Sequence, residues 1–300
     1  ANPAGNFALS ANYDASGDGT YRNSPVPTTF TGVVQGLGNT ISNITVVKGE
    51  YGDFGGLFSD IGPAGAVEDL NLAAVTGVAG GLVYYNRGLL FGDHVSGTVG
   101  RYSQAGGLAA LSFGTIANCS SSASVVVGKK SSGGGLVATF TGTISNSYAT
   151  GSVTSDNKDS KDSIVGGLAG TSYGGAILNS YAVGPVRAYA VGGLIGSTDN
   201  DALNVATSYS TGKTVGSTYA GGFFGTYGSG ITPTNNYWDT TTSGTDQGTG
   251  NDGNVSGITG LTTQQLQAGL PAGFDPTIWA ENPKINGGFP YLIANPPPKK

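Results

Sequence analysis

Asp14 and Asp18 bracket Ser16, and Gly19 follows. Oxygen-bearing side chains at alternate positions before a glycine open a calcium-binding loop, where hard oxygen ligands surround the cation. The twelfth position here is Pro25 rather than glutamate, so the expectation is a polar turn, with a weak Ca²⁺ site as the alternative. A second acidic group, Asp156, Asp159 and Asp162, alternates with Lys158 and Lys161 in the stretch 154–165. A solvated loop is expected there, with a cation or partner contact as the alternative. Asp93-His94 is the one adjacent histidine–acid pair, and His94 is expected to be an ordinary side chain of a repeat. Ser210–Thr214 (STGKT) has the ending of a phosphate-binding loop, but its first glycine position is Thr207 and no strand-to-helix pattern follows. The chain has 1 cysteine, 1 histidine and three glutamates. These cannot supply a disulfide framework, a histidine metal set or an assignable general acid and base. No catalytic residue and no cofactor is expected from this inventory.

The elements that must position these side chains come from a repeat. Glycine makes up 54 of the 300 residues, and 10% are charged. With 13 Lys+Arg and a net charge of −5, a nucleic-acid footprint is absent. No apolar run reaches the length of a membrane span. The chain has no methionine and no signal peptide, so a processed piece of something longer is expected. Gly-Gly-Leu, once Gly-Gly-Phe, recurs at intervals of 25, 26, 28, 32, 26 and 29 residues, with third residues running from Leu57 to Phe223. Such a period belongs to a solenoid. Two further apolar columns keep the same register. One runs Val67, Leu90, Ile116, Ile144, Ile177, Val205 and Ile231; the other runs Val99, Val125, Val153, Val186 and Val215. Each lies in a short segment rich in Val, Ile, Thr and Tyr bounded by Gly, Asn or Ser, which is a strand signal. Three strands per repeat, all facing inward, predict a three-sided, right-handed parallel β-helix of about seven coils.

The expected organisation is capping strands in 1–50, repeats in 51–238, a C-terminal cap in 239–295 and a proline-rich linker in 296–300. A short helix is expected over Thr262–Gln267, and the aromatic residues around Trp238 and Trp279 are expected to close the open end of the core. Two polar ladders are expected. Asn118, Asn146, Asn179 and Asn236 would share one repeat position and hydrogen-bond along the axis. Tyr148, Tyr181, Tyr209 and Tyr237 would stack as a column. Both are read as structural, with a carbohydrate-binding tyrosine strip as the alternative.

The blocks GGLVATFTGTISNSYATGSV (134–153) and GGLAGTSYGGAILNSYAVGPV (166–186) resemble the GLUG repeat. This repeat occurs in bacterial exoproteins of the filamentous-haemagglutinin type and in some IgA-peptidase-type surface proteins. The lead-in FTGVVQGLGNTISNITV and the exit beginning NNYWDTTTSG are similar to the segments that flank such repeats. The resemblance implies a secreted or surface-attached bacterial β-helix, often adhesive. The functional expectation is therefore a non-enzymatic, structural or adhesive segment that contacts a host or neighbouring-cell protein or glycan. End-to-end self-association into a fibre and a polysaccharide-acting enzyme are the alternatives.

Overall fold

The computed structural model describes residues 2–47, 55–77, 79–100, 103–156, 162–199 and 202–298. One coil shows how the sequence winds. Val137–Phe140 lies on one sheet, Thr143–Ser145 on a second, and Tyr148–Ala149 followed by Val153–Ser155 on a third. Each pairs in parallel with its equivalent one repeat on, as in Val137↔Ala169, Ile144↔Ile177 and Tyr148↔Tyr181. The result is a β-solenoid of about eight turns, with one eight-stranded sheet, one nine-stranded sheet and a third face of short strands. Coils also form before Gly55: Phe7–Ala8 pairs with Val33–Gln35, and that strand pairs with Ala66–Glu68. The expected boundary between residues 50 and 51 lies outside the described residues.

The Gly-Gly-Leu column is buried throughout, and Leu82, Leu108, Leu136, Leu168, Leu194 and Phe223 all have no exposed surface. Together with Leu90, Ile116, Ile144, Ile177 and Val205 they form the main core. Of the third column, only Val99 joins it. Val125, Val153 and Val186 pack with Val127, Val165 and Val191 in a separate valine core. The partition follows from the glycines. A Cβ on Gly134 would sit 1.9 Å from the carbonyl oxygen of Val137, so the strand Ser132–Gly134 passes too close to its own coil for a side chain at that position. That backbone forms the wall between the two cores.

Three register expectations need correction. Ile231 pairs with Leu203, and Pro233 stands opposite Val205. Thr214 pairs with Val186, leaving Val215 exposed. The partner of Val205 thus lies two residues beyond Ile231, whereas the partner of Val186 lies one residue before Val215. Asn236 is also one residue out of the asparagine row. Tyr237 pairs with Tyr209, so the residue two before it, Asn235, is the one aligned with Asn118, Asn146 and Asn179. All four of these asparagines have left-handed backbone angles, φ 47–54°. They therefore turn the corner of the coil, a conformation asparagine tolerates. The amide ladder expected there does not form, since Asn118 Oδ1 and Asn146 Oδ1 are buried without a partner. The axial hydrogen bonds run one residue later. Cys119 N donates to Ser147 Oγ, Ser147 N to Ser180 Oγ, Ser180 N to Ser208 Oγ and Ser208 N to Asn236 Oδ1, at 3.0–3.3 Å.

Beyond Trp238 the chain continues the axial pairing, with Ile258–Leu261 on Asn236–Asp239 and Thr249 bridging Phe224 in parallel, and Trp238 plugs the end of the main core. Asp239 caps a turn of helix, Thr240–Ser243, in a stretch that reads as loop. The expected helix is present as Thr263–Leu266, held by a reciprocal capping box between Thr262 and Gln265. The other aromatic residues do not close the end of the core. Leu266, Phe274, Trp279 and Leu292 pack on the outer face of the tyrosine column, so the C-terminal segment runs back along the side of the solenoid.

Candidate functional site

One outward-facing column extends along most of the molecule. Its members pair in the order Thr40, Asn71, His94, Ser120, Tyr148, Tyr181, Tyr209 and Tyr237. The tyrosine half is covered. Tyr148, Tyr181 and Tyr209 stack with centroids 4.8 and 5.0 Å apart and planes within 8°. The C-terminal segment lies over them: Tyr209 OH donates to Pro290 O at 2.6 Å, and Tyr237 OH to Ala272 O at 2.7 Å. Tyr181 and Tyr209 have no exposed surface, so the tyrosines do not form a carbohydrate-binding strip.

The polar half borders a groove of about 1030 Å³. Thr40, Asn71, His94 and Ser120 line its floor, while Phe289 and Pro296–Pro298 of the returning segment form the opposite wall. His94 Nδ1 and Ser120 Oγ are 2.7 Å apart. Burial holds the half-buried imidazole of His94 below its ordinary value, against a weaker opposing pull from Asp69. The neutral ring is therefore the favoured form. A neutral histidine bonded to a serine has the elements of a nucleophilic pair, but the surroundings do not complete one. The backbone N–H groups of Ser120 and Ser122 are spent on Asp93 O and Val95 O of the neighbouring coil, so neither can stabilise an oxyanion. Asp93 points to the opposite side of the strand. It is fully buried, Oδ1 accepts from Leu70 N at 3.0 Å, and Oδ2 has no partner. Burial pushes its carboxyl well above the usual range. What the groove offers is a row of hydrogen-bonding side chains at coil spacing, suited to holding an extended chain.

The acidic candidates lie elsewhere. Asp18 accepts hydroxyl hydrogen bonds from Tyr13 and Tyr21 at 2.6 and 2.7 Å. Asp14 accepts from Ser16 N at 2.9 Å and from Asn43 Nδ2 at 2.8 Å. These bonds hold both carboxyls below their ordinary values and knit the first coil together. Asp156 N bonds Val127 O, and Asp162 turns the chain with φ 82°. Asp159, Lys158 and Lys161 lie outside the described residues. Among the described residues no group of three or more His, Cys, Asp or Glu side chains converges. Cys119 is buried, and its thiol is pushed well above the usual range by that burial. Sequence reasoning missed the groove because its wall comes from residues more than a hundred positions away. The available signal was the Pro296–Pro298 run, which reads as a linker.

No protein-family profile and no curated protein sequence matches the chain. Solved structures do. A structure named IgA1 Protease shares 25% identity over 79% of this chain, with a TM-score of 0.59. This chain spans 20% of that protein's length. A crystal structure from Bacteroides ovatus, described as a candidate immunoglobulin A1 protease, aligns over 96% of this chain and 86% of its own at 16% identity, with a TM-score of 0.55. The second likeness is one of fold. The first overturns the expectation of a non-enzymatic adhesive segment, because a solenoid of this kind, at 25% identity, belongs to a protein named as a protease. The expectation failed because it tested for catalytic side chains within the coils alone. A solenoid that makes up a fraction of an enzyme need not carry them. Among the described residues no helix is long and apolar enough to cross a membrane.

Proposed function

We propose that this chain is the β-solenoid module of a secreted, IgA1-protease-type enzyme, and that it holds polypeptide substrate along the groove beside His94 and Ser120. The observation that carries the reading is the solenoid of the protein named IgA1 Protease, 25% identical over 79% of this chain. The resemblance of the repeats to GLUG repeats, which also occur in IgA-peptidase-type surface proteins, supports the same class. The geometry fits a part in substrate positioning. Side chains repeat along the axis at about 4.8 Å, so an extended polypeptide lying along the groove meets a new polar side chain every one to two residues. Positioning of this kind contributes to catalysis by holding the scissile segment in one orientation.

The test uses the full chain immobilised on a sensor surface, with IgA1 passed over it and the mixture followed in parallel by electrophoresis. Saturable binding of IgA1, weakened by Asn71→Ala and His94→Ala, is the expected result. Cleavage of IgA1 by the chain alone would also support a proteolytic enzyme and would move the chemistry into the solenoid. Neither binding nor cleavage at micromolar concentrations would overturn the reading.

A further inference from the structure

Two of the solenoid's three faces carry cover from the protein's own chain. The returning C-terminal segment lies on the tyrosine column. Along the middle of the eight-stranded sheet, Leu111, Thr139 and Thr171 point away from the main core yet are buried, and Thr171 Oγ1 meets Ser132 Oγ at 2.9 Å. The nine-stranded sheet has no such cover: among the described residues no other strand or helix is laid across its outer side. This bare face is poorly suited to water. Its six strands from Leu89–Phe91 to Ile231–Thr234 contain no charged residue. Phe91 points outward with 38% of its surface exposed, on the same strand as half-buried Leu89. At the corner that borders the sheet, Phe113 and Tyr173 occupy equivalent places two coils apart and are about half exposed. Parallel sheets are ordinarily covered on both faces, and a contiguous apolar exposure marks an interaction surface.

The face is complementary to itself. Regular pairing keeps its outward side chains in two straight columns, one with Leu89, Thr143 and Ala176, the other with Phe91, Ser145 and Leu178. A two-fold axis parallel to the solenoid sets each column over the other column of a second copy, coil by coil. Leu89 then meets the partner's Phe91, Thr143 the partner's Ser145, and Ala176 the partner's Leu178. Apolar meets apolar and hydroxyl meets hydroxyl. Glu68, in an earlier strand, accepts from Gln35 Nε2 at 2.6 Å and stands over the partner's Ala66, a small side chain that leaves room for water. The end-for-end alignment would instead set Leu178 over the partner's Glu68. The size is adequate. Nine strands span about 38 Å at about 4.8 Å per step, and Phe113 to Ala117 spans about 13 Å. That is about 500 Å² per copy and about 1,000 Å² for the pair, where specific interfaces begin.

We propose that the nine-stranded sheet is the interface of a two-fold dimer of this chain, with two solenoids side by side and their coils in register. The groove beside His94 lies on a different face and stays open in both copies. The inference goes beyond the substrate-holding role and does not rest on it. An interface of this size is weak, so the dimer is expected at micromolar concentrations and above.

The test is sedimentation velocity of the full chain from about 1 µM to about 300 µM. A reversible monomer–dimer equilibrium is expected. Leu89→Lys and Phe91→Glu each place two unpaired charges in the interface, and each should weaken the dimer by about tenfold or more. An equimolar mixture of the two variants should restore it. The introduced lysine of one copy then faces the introduced glutamate of the other, while the remaining Phe91 and Leu89 still meet. Thr143→Lys with Ser145→Glu forms a second facing pair, used if circular dichroism shows that the first pair does not fold. A wild-type chain that stays monomeric across this range overturns the proposal. So do single variants that dimerise as tightly as the wild type, or mixtures that stay monomeric where the wild type dimerises.

Discussion

Asp93 and His94 are neighbours in sequence and opposites in environment. Asp93 faces the core with one carboxyl oxygen unpartnered, and burial raises its pKa well above the usual carboxylate value. Its proton is therefore held more tightly in the folded chain than in the unfolded one. Its stabilising contribution is complete below about pH 4 and is lost as pH rises through the raised value. Asn236 fills the equivalent place at the far end of the same axial row, with Oδ1 accepting from Ser208 N. Asp93→Asn should thus stabilise the chain by about 1–3 kcal/mol at neutral pH by removing an unsatisfied buried acid. Thermal melts of the two proteins should converge near pH 4. His94 behaves with the opposite sign. Its pKa is lowered by burial, so its contribution is complete above about pH 6.5 and is lost as pH falls through the lowered value. His94→Gln should flatten the loss of stability as pH falls below about 6.5, followed by melting temperature. The tyrosines give a paired test. Tyr181 OH has no partner, whereas Tyr209 OH bonds Pro290 O and accepts from Asn286 Nδ2. Tyr181→Phe should stabilise the chain by about 1 kcal/mol or more, because it removes a buried hydroxyl that has no partner. Tyr209→Phe should cost about 1–2 kcal/mol, measured by denaturant unfolding.

At the scale of the element, glycine and asparagine decide where strands begin and end. Gly134 lies where the backbone approaches the Val137 carbonyl, and a Cβ there would be 1.9 Å from it. Gly134→Ala should destabilise by more than about 3 kcal/mol or prevent folding, because the contact is with backbone and cannot rotate away. Circular dichroism and solubility would report it. The strands were legible in the sequence because alternating Val, Ile and Thr with glycine at a fixed period has few other solutions. The Leu57-to-Phe223 column needed no adjustment, since a leucine beside two glycines has only one buried place in each coil. The late registers were not legible. Pro233 opposite Val205, and Thr214 rather than Val215 opposite Val186, depend on which of several neighbouring residues the adjacent coil pairs with, a choice that leaves no mark in composition. Asn235 and Asn236 show the same limit: two adjacent asparagines offer two alignments, and only the left-handed backbone of Asn235 selects one. The helix at Thr263–Leu266 was visible from its capping residues, while Thr240–Ser243 depends on Asp239 and went unseen.

For the whole molecule, the largest departure from expectation is the path of the C-terminal segment. It does not lid the solenoid's open end but returns along one flank, from Tyr237 back to the coil of Cys119. This converts an exposed aromatic ladder into a second apolar cluster and leaves the polar part of the same column as a groove. Its attachment depends on a few polar contacts and the Trp279 cluster, so it should be the part released first. Limited trypsin digestion should cut at exposed Lys284 before the solenoid is attacked, and Asn295→Ala should speed that cut severalfold. Solenoid cuts appearing first would contradict this order. The sequence by itself determined the coil, its period and its main core, because these arise from contacts between one repeat and the next, and every repeat writes the same constraint again. The groove, the burial of the tyrosines and the seating of Pro296–Pro298 were decided only by the tertiary structure. They depend on single contacts between residues up to 176 positions apart, such as Asn295 with Cys119, and a contact made once leaves no pattern to read.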